Sequence, residues 1–280
     1  MIFSAGKKTG KGSMPGFGLS LGFSLSYITF LILIPVSALI LYSAKIPFKE
    51  FVKIISDERV ITAFMVSFTS ALYAAAINFV FGFIIAWILA RYDFFGKKIL
   101  DACIDLPFAI PTAVAGISLA VLFSPEGVLG KTFLHFGITL GFSRAGIVIA
   151  LIFIGLPFVV RTVQPVIEEL DNTYEEAAAS LGADYFQIAA RVIFPALLPA
   201  LITGAAMAFA RGLGEYGSII FISSNIPYKT EIAPLLVVKK LMQFDYAGAS
   251  AIGLAMLIVA FIMLLATNLL QNYMASRRSA

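Results

Sequence analysis

Six stretches of this 280-residue chain lack Asp, Glu, Lys and Arg, and their lengths restrict the fold more than any other feature. The six windows are 12–44, 60–90, 106–125, 145–160, 192–210 and 246–276. A helix needs about 20 apolar residues to cross the hydrocarbon core of a bilayer, with a range of roughly 17–25. Five windows are long enough, and the fourth can continue past Arg161, whose long side chain can reach the interface. Since the alternating segments of a membrane β-barrel are absent, the pattern predicts an all-α, polytopic membrane helix bundle of about six transmembrane helices.

The boundaries of these spans follow from the charged residues that flank each window. The expected spans are 19–43, 62–89, 106–124, 145–165, 196–212 and 247–270. The first window is too long for the apolar core of a signal peptide, so it is expected to remain as a span. Six spans place both chain ends on one side, and Lys7, Lys8 and Lys11 favour the cytoplasm. The other basic residues divide almost evenly between the two faces, so the positive-inside rule contributes little.

The composition excludes several function classes. The chain is 60% hydrophobic and 13% charged, against roughly 25% charged residues in an average soluble domain. A net charge of +4 fits loops near anionic lipid better than a nucleic-acid partner. One cysteine, Cys103, excludes an intrachain disulfide, and the single histidine, His135, excludes a Cys/His metal cluster within the chain.

Proline and glycine interrupt the expected spans at several points. Pro107 and Pro111 lie in "DLPFAIPTAVAG" (105–116), and Pro157 lies in "GLPFVV". Buried prolines in a membrane helix either mark its ends and shape or produce broken helices that line a path. The uncharged run from Tyr216 to Tyr228 is too short to span, which favours a re-entrant or interfacial segment.

Arg211 and Glu215 flank the end of the fifth window. They are four residues apart, so a continuing helix places them on one face. Either both lie in water at the outer end of the span, or they line or gate a path through the bundle. Gly214 and its glycine neighbours would let this segment bend, and Pro111 and Thr112 are further candidates for the path.

The longest acidic segment, "DNTYEEAAASLGADYFQIAARVIFPALLPAL" (171–201), predicts two short helices in a loop. Thr173 and Glu176 fit a capping box at the first helix. Gly182 is suited to the left-handed conformation that ends it. Asp184 begins the second helix, and Pro195 is expected to break the chain before the fifth span.

The first loop helix exposes a small-residue, acidic surface. Ala177, Ala178 and Ala179 are strong helix formers with a low profile. A helix lying on the bilayer usually carries Lys, Arg and bulky apolar residues, which this one lacks. The pattern therefore favours a docking surface for another protein, with glutamate as a charge partner.

This loop resembles the signature of type 1 ABC-importer permeases, which reads Glu-Ala-Ala, three residues, Gly, nine residues, Ile-x-Leu-Pro. The corresponding positions are Glu176, Ala177, Ala178, Gly182 and Pro195, with valine for isoleucine and phenylalanine for leucine before the proline. "DLPFAIPTAVAG", "PFVVRTVQPVIEEL" (157–170) and "ARGLGEYGSIIFISSNI" (210–226) further resemble the T-type permease subunit of sulfate/thiosulfate importers.

The resemblance implies a non-catalytic transmembrane subunit that moves sulfate, with thiosulfate, into the cytoplasm of a prokaryote through its plasma membrane, the inner membrane in Gram-negative cells. Its implied partners are a W-type second permease subunit, a dimer of ATPase cassettes and a sulfate/thiosulfate-binding protein. The chain itself needs no cofactor, because ATP is bound by the cassette, and it lacks a Walker A pattern. The implied coupling residues are Glu175, Glu176, Ala177, Ala178, Gly182 and Pro195.

The implied organisation divides the chain into five parts. They are an N-terminal cytoplasmic tail 1–15, a first span 16–44, a permease core 60–270, a cytoplasmic coupling loop 167–195 within that core, and a C-terminal cytoplasmic tail 271–280. The candidate residues for a translocation path or gate are Arg211, Gly214, Glu215, Pro111 and Thr112.

Two alternatives stay open at this point. Molybdate or tungstate permeases share the layout and an R-x-L-G-E stretch, but they usually lack the run from Thr112 to Gly116. A self-sufficient secondary anion transporter would need intramembrane carboxylates for coupling ions, and Asp105 and Glu215 are the plausible ones.

Overall fold

The computed structural model describes residues 17–171 and 173–278, with side chains described through residue 269. The expected tail 1–15 and residues 279 and 280 lie outside that description, and so do the side chains of the whole expected tail 271–280. The helices of the described residues, in chain order, are α1 (Phe17–Ser43), α2 (Phe48–Ile55), α3 (Glu58–Arg91), α4 (Lys97–Ala109), α5 (Thr112–Phe123), α6 (Val128–Leu134), α7 (Arg144–Glu168), α8 (Thr173–Ser180), α9 (Tyr185–Leu213), α10 (Ile219–Ile222), α11 (Ala233–Met242) and α12 (Tyr246–Arg278).

The prediction of about six membrane-crossing helices is confirmed. In the described part of the chain, α1, α3, α7, α9 and α12 are each long and apolar enough to cross a membrane. Taken together, α4 and α5 are also long and apolar enough, but the two helices meet at 115°. The continuous span expected at 106–124 is therefore wrong. Pro111 has no N–H to continue a helix and holds the preceding Ile110 in an extended conformation (ψ 131°), which ends α4.

The break expected at Pro195 is also wrong. Helix α9 runs through it, and a π-helical turn at Ala189–Ile193 ends two residues before the proline. In a π turn the hydrogen bonds skip one residue, so the missing proline amide falls where the regular ladder is already interrupted. The second loop helix and the fifth span consequently form one helix of 29 residues.

The core of the bundle is formed by α3, α7 and α9, which pack closely because small residues lie between them. A Cβ at Gly82 or Gly204 would overlap atoms of Val159, and one at Gly155 would overlap the Asn78 amide. Helices in lipid gain little from burying apolar surface, so such close backbone approach is what stabilises their contact. Helix α1 has no buried residue before Ser43, whose hydroxyl donates to the Ser250 carbonyl of α12 (3.1 Å).

A buried ion network fastens the chain between α10 and α11 to the N-terminal end of α3. Glu231 is 1% exposed, accepts two hydrogen bonds from Arg59 (2.7 and 2.9 Å) and one from Lys239 (2.6 Å). Burial alone would raise the pKa of Glu231, but these two cations outweigh it and hold that pKa below its usual value. Its carboxylate therefore stabilises the fold at neutral pH, and this contribution is lost as the pH falls through the depressed pKa.

Replacing Glu231 by glutamine is expected to lower the free energy of unfolding at neutral pH by about 2 kcal/mol, because hydrogen bonds to a charged group lose that much when the charge is removed. Chemical unfolding in mixed micelles, followed by circular dichroism, measures the change. Asp93→Asn is the matched control, since the Asp93–Lys97 pair is solvated, with Asp93 97% exposed, and is expected to contribute little. Equal stability of the two variants would contradict the assignment.

Candidate functional site

The first loop helix, α8, begins on Asp171 rather than on the predicted capping box. The Asp171 carboxylate accepts hydrogen bonds from the Thr173 hydroxyl (2.6 Å) and backbone amide (2.9 Å), which lower the pKa of that carboxyl. The predicted capping box of Thr173 and Glu176 is wrong, because Thr173 is the first residue of α8 and its hydroxyl donates to Asp171 instead. A carboxylate two residues upstream is a stronger acceptor than a hydroxyl, and it leaves Glu176 exposed.

The turn between the two loop helices has the predicted geometry. Gly182 adopts a φ of +86°. Its amide donates to the Ala179 carbonyl (2.9 Å), and the Ala183 amide donates to that of Ala178 (3.1 Å), the paired bonds of a glycine C-cap. Asp184 and Gln187 then form a complete capping box. Both helix boundaries are therefore set by local sequence.

The two glutamates of α8 face opposite ways. Glu175 points towards the bundle and pairs with Arg91 (2.7 Å), whose guanidinium lies over the Trp87 ring. Ala178 also packs on the bundle, while Glu176 and Ala177 are exposed. The loop thus presents one acidic, low-profile face to the outside and is held to α3 by the other.

Large apolar side chains are also exposed at the turn and at the beginning of α9. Leu181 is 90% exposed, Tyr185 93% and Phe186 81%. The sequence pattern did not predict that these three residues belong to the exposed surface, because apolar side chains in a membrane protein are usually assigned to the lipid-facing surface or to the core. We name Glu176, Ala177, Leu181, Tyr185 and Phe186 the loop surface.

At the other end of α9, Arg211 and Glu215 form the ion pair that their spacing indicates. Arg211 Nη1 lies 2.7 Å from Glu215 Oε2. Glu215 Oε1 accepts from the amide (2.9 Å) and hydroxyl (3.0 Å) of Ser218. Glu215 is 2% exposed, so the alternative that both residues lie in water fails for the carboxylate, while Arg211 remains 38% exposed.

The break at Pro111 lies against this ion pair's segment. A Cβ at Gly217 would overlap the Thr112 hydroxyl oxygen, and one at Gly116 would overlap the backbone of Ser218. The structure therefore brings Thr112 and Glu215, which are more than 100 residues apart in sequence, into one cluster. Gly214 is exposed and has an ordinary φ of −92°, so nothing in this conformation requires a glycine there. We name Arg211, Glu215, Ser218 and Thr112 the Glu215 cluster.

Sequence reasoning missed the partners of Arg161. Its side chain binds Asp101 and Asp105 of α4, at 2.6 Å each. Asp105, one of the two candidate carboxylates of a secondary transporter, is therefore paired with arginine. Their separation of 56 and 60 residues leaves no local signal, although Asp101 and Asp105 share a helix face. Within the described residues no group of three or more His, Cys, Asp or Glu is placed to hold a metal ion.

Similar structures agree with this fold. The crystal structure of a bacterial alginate ABC transporter, in complex with an alginate pentasaccharide-bound periplasmic protein, contains a chain that matches with a TM-score of 0.74. The match covers 90% of this chain and 92% of that one at 19% identity. The inward-facing MetNI methionine ABC transporter matches with a TM-score of 0.57 at 17% identity, over 76% of this chain and 95% of that one.

Sequence comparison assigns the family. The family model "Binding-protein-dependent transport system inner membrane component" matches residues 78–280. The sulfate transport system permease protein CysT of Escherichia coli (strain K12) is 46% identical over 264 residues, 94% of this chain and 95% of the relative. CysT of Synechocystis sp. is 48% identical over 250 residues, and the probable sulfate transport system permease protein cysT of Chlorokybus atmophyticus 47% over 249; each match covers 89% of this chain and 87% of the relative. The chain therefore belongs to the binding-protein-dependent transport system inner-membrane components, and among them to the family of the CysT sulfate transport system permeases.

Proposed function

We propose that this non-catalytic, multi-pass permease subunit carries sulfate, and thiosulfate with it, into the cytoplasm, driven by ATP hydrolysis on a separate cassette. The observation that carries the proposal is the ordered loop at Thr173–Ser180 and Gly182 in a chain 46–48% identical to relatives named as sulfate permeases. The molybdate and tungstate alternative lacks such support, because the similar relatives considered above carry sulfate in their names.

The loop surface supports docking of the cassette. Glu176 and Ala177 offer a charge and a close approach, and Leu181, Tyr185 and Phe186 offer apolar area that is exposed in the isolated chain. Aromatic side chains of this kind contribute most of the affinity at protein interfaces. ATP is bound by the cassette, and the loop is where closure of the cassette dimer moves the membrane helices.

The Glu215 cluster supports a gate for a dianion. Arg211 attracts sulfate, and the buried Glu215 carboxylate neutralises part of that charge, so the anion is not held too tightly to leave. Thr112 at the bend and the segment after Glu215 touch each other, so the gate is formed where two interrupted helices meet.

We further propose an orientation and the remaining partners of the complex. The loop surface faces the cytoplasm and so do both termini, which places Arg59, Glu231 and Lys239 at the outer face. A W-type permease subunit completes the pathway, a second cassette docks on it, and a sulfate-binding protein delivers the anion from outside. The site is the plasma membrane of a prokaryote, the inner membrane in Gram-negative cells.

Uptake by vesicles containing the purified complex tests the proposal. Labelled sulfate is expected to accumulate only with ATP and the binding protein, and an ATPase is expected to copurify with the tagged chain. Unlabelled thiosulfate is expected to compete, and molybdate is not. ATP-independent uptake, or uptake of molybdate in place of sulfate, would overturn the assignment.

A further inference from the structure

The Arg161 guanidinium uses all five of its N–H groups. Nε and Nη2 donate to the two carboxylate oxygens of Asp105 (2.8 and 2.6 Å). Nη1 donates to Asp101 Oδ1 (2.6 Å) and Gln164 Oε1 (3.0 Å), and Nη2 also donates to the Asp101 carbonyl (3.0 Å). A guanidinium has five donors in a rigid fork, so this geometry fixes α4 against α7 in both position and rotation. We name Arg161, Asp101, Asp105 and Gln164 the Arg161 clamp.

The clamp places charged side chains in or beside a membrane-crossing helix, where an unpaired charge is unfavourable. Arg161 lies within a membrane-crossing helix, where an unpaired arginine is unfavourable. A single carboxylate would neutralise it, yet two are present, and both Asp side chains remain over 40% exposed. Neutralisation alone therefore does not account for Asp101. A second anchor one turn along α4 instead resists sliding and rotation of that helix.

The clamp lies near the end of α7 that leads into the loop. Arg161 is seven residues, about 10 Å, before the end of α7. Gln164, which accepts from Arg161, donates in turn to Glu168 Oε1 (2.9 Å) in the last turn of α7. Consecutive hydrogen bonds therefore connect the clamp with Glu168, five residues before α8 begins at Thr173.

The other limb of the bent pair is held separately. Helix α5 packs on the segment after Glu215 through the glycine contacts at Gly116 and Gly217. The extended residue Ile110 joins the two limbs. One limb is therefore tied to the helix that enters the loop, the other is tied to the Glu215 cluster, and the joint between them is the bend.

We propose that the Arg161 clamp transmits motion of the loop to the bend at Pro111, and so to the Glu215 cluster. Arg161, Asp101 and Asp105 act as positioning residues that touch neither anion nor nucleotide. When α7 moves with the loop, the clamp carries α4 with it, and the change in angle at Ile110 shifts Thr112 against Gly217. The proposal rests on the proposed function, since it requires that the loop is driven by a cassette.

The test is the ratio of sulfate imported to ATP hydrolysed by the reconstituted complex, for Asp105→Asn and Arg161→Ala. Both variants are expected to retain the cassette and binding-protein-stimulated ATP hydrolysis within about twofold, while the ratio falls about tenfold or more, the equivalent of one lost charge-assisted contact. The double variant Arg161→Asp/Asp105→Arg is expected to recover most of the ratio. Its new arginine lies one turn from Asp101, so it can bind both carboxylates.

Lys97→Ala is the matched control, because it removes an ion pair at the beginning of the same helix that does not join α4 to α7. Wild-type ratios in both single variants would overturn the proposal. If Arg161→Ala loses its cassette, the double variant Arg161→Asp/Asp105→Arg decides the question. A ratio of sulfate imported to ATP hydrolysed as low as that of Asp105→Asn would overturn the proposal. Amide exchange over residues 98–109 provides a readout without substrate, and unchanged exchange in Asp105→Asn also overturns it. A different result would overturn only the proposed function. In that case the wild-type complex does not import sulfate, yet Asp105→Asn still changes amide exchange in α4, so the clamp holds α4 as described.

Discussion

Replacing Gly182 by valine is expected to reduce sulfate uptake at least about tenfold while the chain still inserts in the membrane. No atom lies within 4 Å of a Cβ added at Gly182, so the cost is in the backbone alone. A φ of +86° is strained for a β-branched residue, by about 1–2 kcal/mol or more. The docking conformation becomes a minor state, and affinity for the cassette falls by the same fraction. Uptake and ATP hydrolysis by reconstituted vesicles measure the effect.

Three variants serve as controls for this prediction. Gly182→Asn is expected to retain most activity, because asparagine tolerates the left-handed conformation. Gly137→Val introduces the same strain at an equally open position (φ +73°) outside the loop, and it is expected to transport normally. Glu176→Ala is expected to be milder than Gly182→Val, since it removes a docking charge and keeps the helix. Normal uptake by Gly182→Val at normal expression would contradict the role of the turn.

Replacing Glu215 by glutamine is expected to slow import about tenfold or more, although the side chain keeps its shape and its acceptor for Ser218. The variant removes the charge that neutralises Arg211, a contact of about 1.5–3 kcal/mol. Arg211 then binds a dianion more tightly and releases it more slowly. Arg211→Ala is expected to lower uptake for the opposite reason, because the site then no longer attracts the dianion. This variant is expected to retain the cassette.

Uptake and ATP hydrolysis of both variants in reconstituted vesicles decide between a transport role and a structural one. Ser218→Ala is the control, because it removes one hydrogen bond from the same carboxylate and leaves the charges in place. If Glu215→Gln and Arg211→Ala both match wild type, the ion pair only stabilises the helix end.

The sequence predicts those features that depend on near neighbours along the chain. Window length and charge spacing locate the spans, and the positive φ of Gly182 and the box at Asp184 follow from local capping rules. The pairing of Arg211 with Glu215 follows from helical periodicity.

Features that depend on distant residues could not be predicted in the same way. Proline chemistry explains why α4 ends at Ile110, but the packing of α5 against Ser218 involves residues about 100 positions away, and the partners of Arg161 depend on which face of α4 meets α7. The error at Thr173 has a different origin: two acceptors compete for one helix end, and the sequence pattern does not rank them. The error at Pro195 arises because a π turn can absorb a proline.

The continuity of α9 makes it a single helix that is long enough to span the bilayer. Its 29 residues extend about 43 Å at 1.5 Å per residue, from the loop surface at Tyr185 to the turn that carries Arg211. A tilt of only about 5° about one end of a helix of this length displaces the other end by about 4 Å, more than the length of a hydrogen bond. Small angular changes at the loop end of α9 are thereby amplified into displacements large enough to make or break individual contacts in the Glu215 cluster.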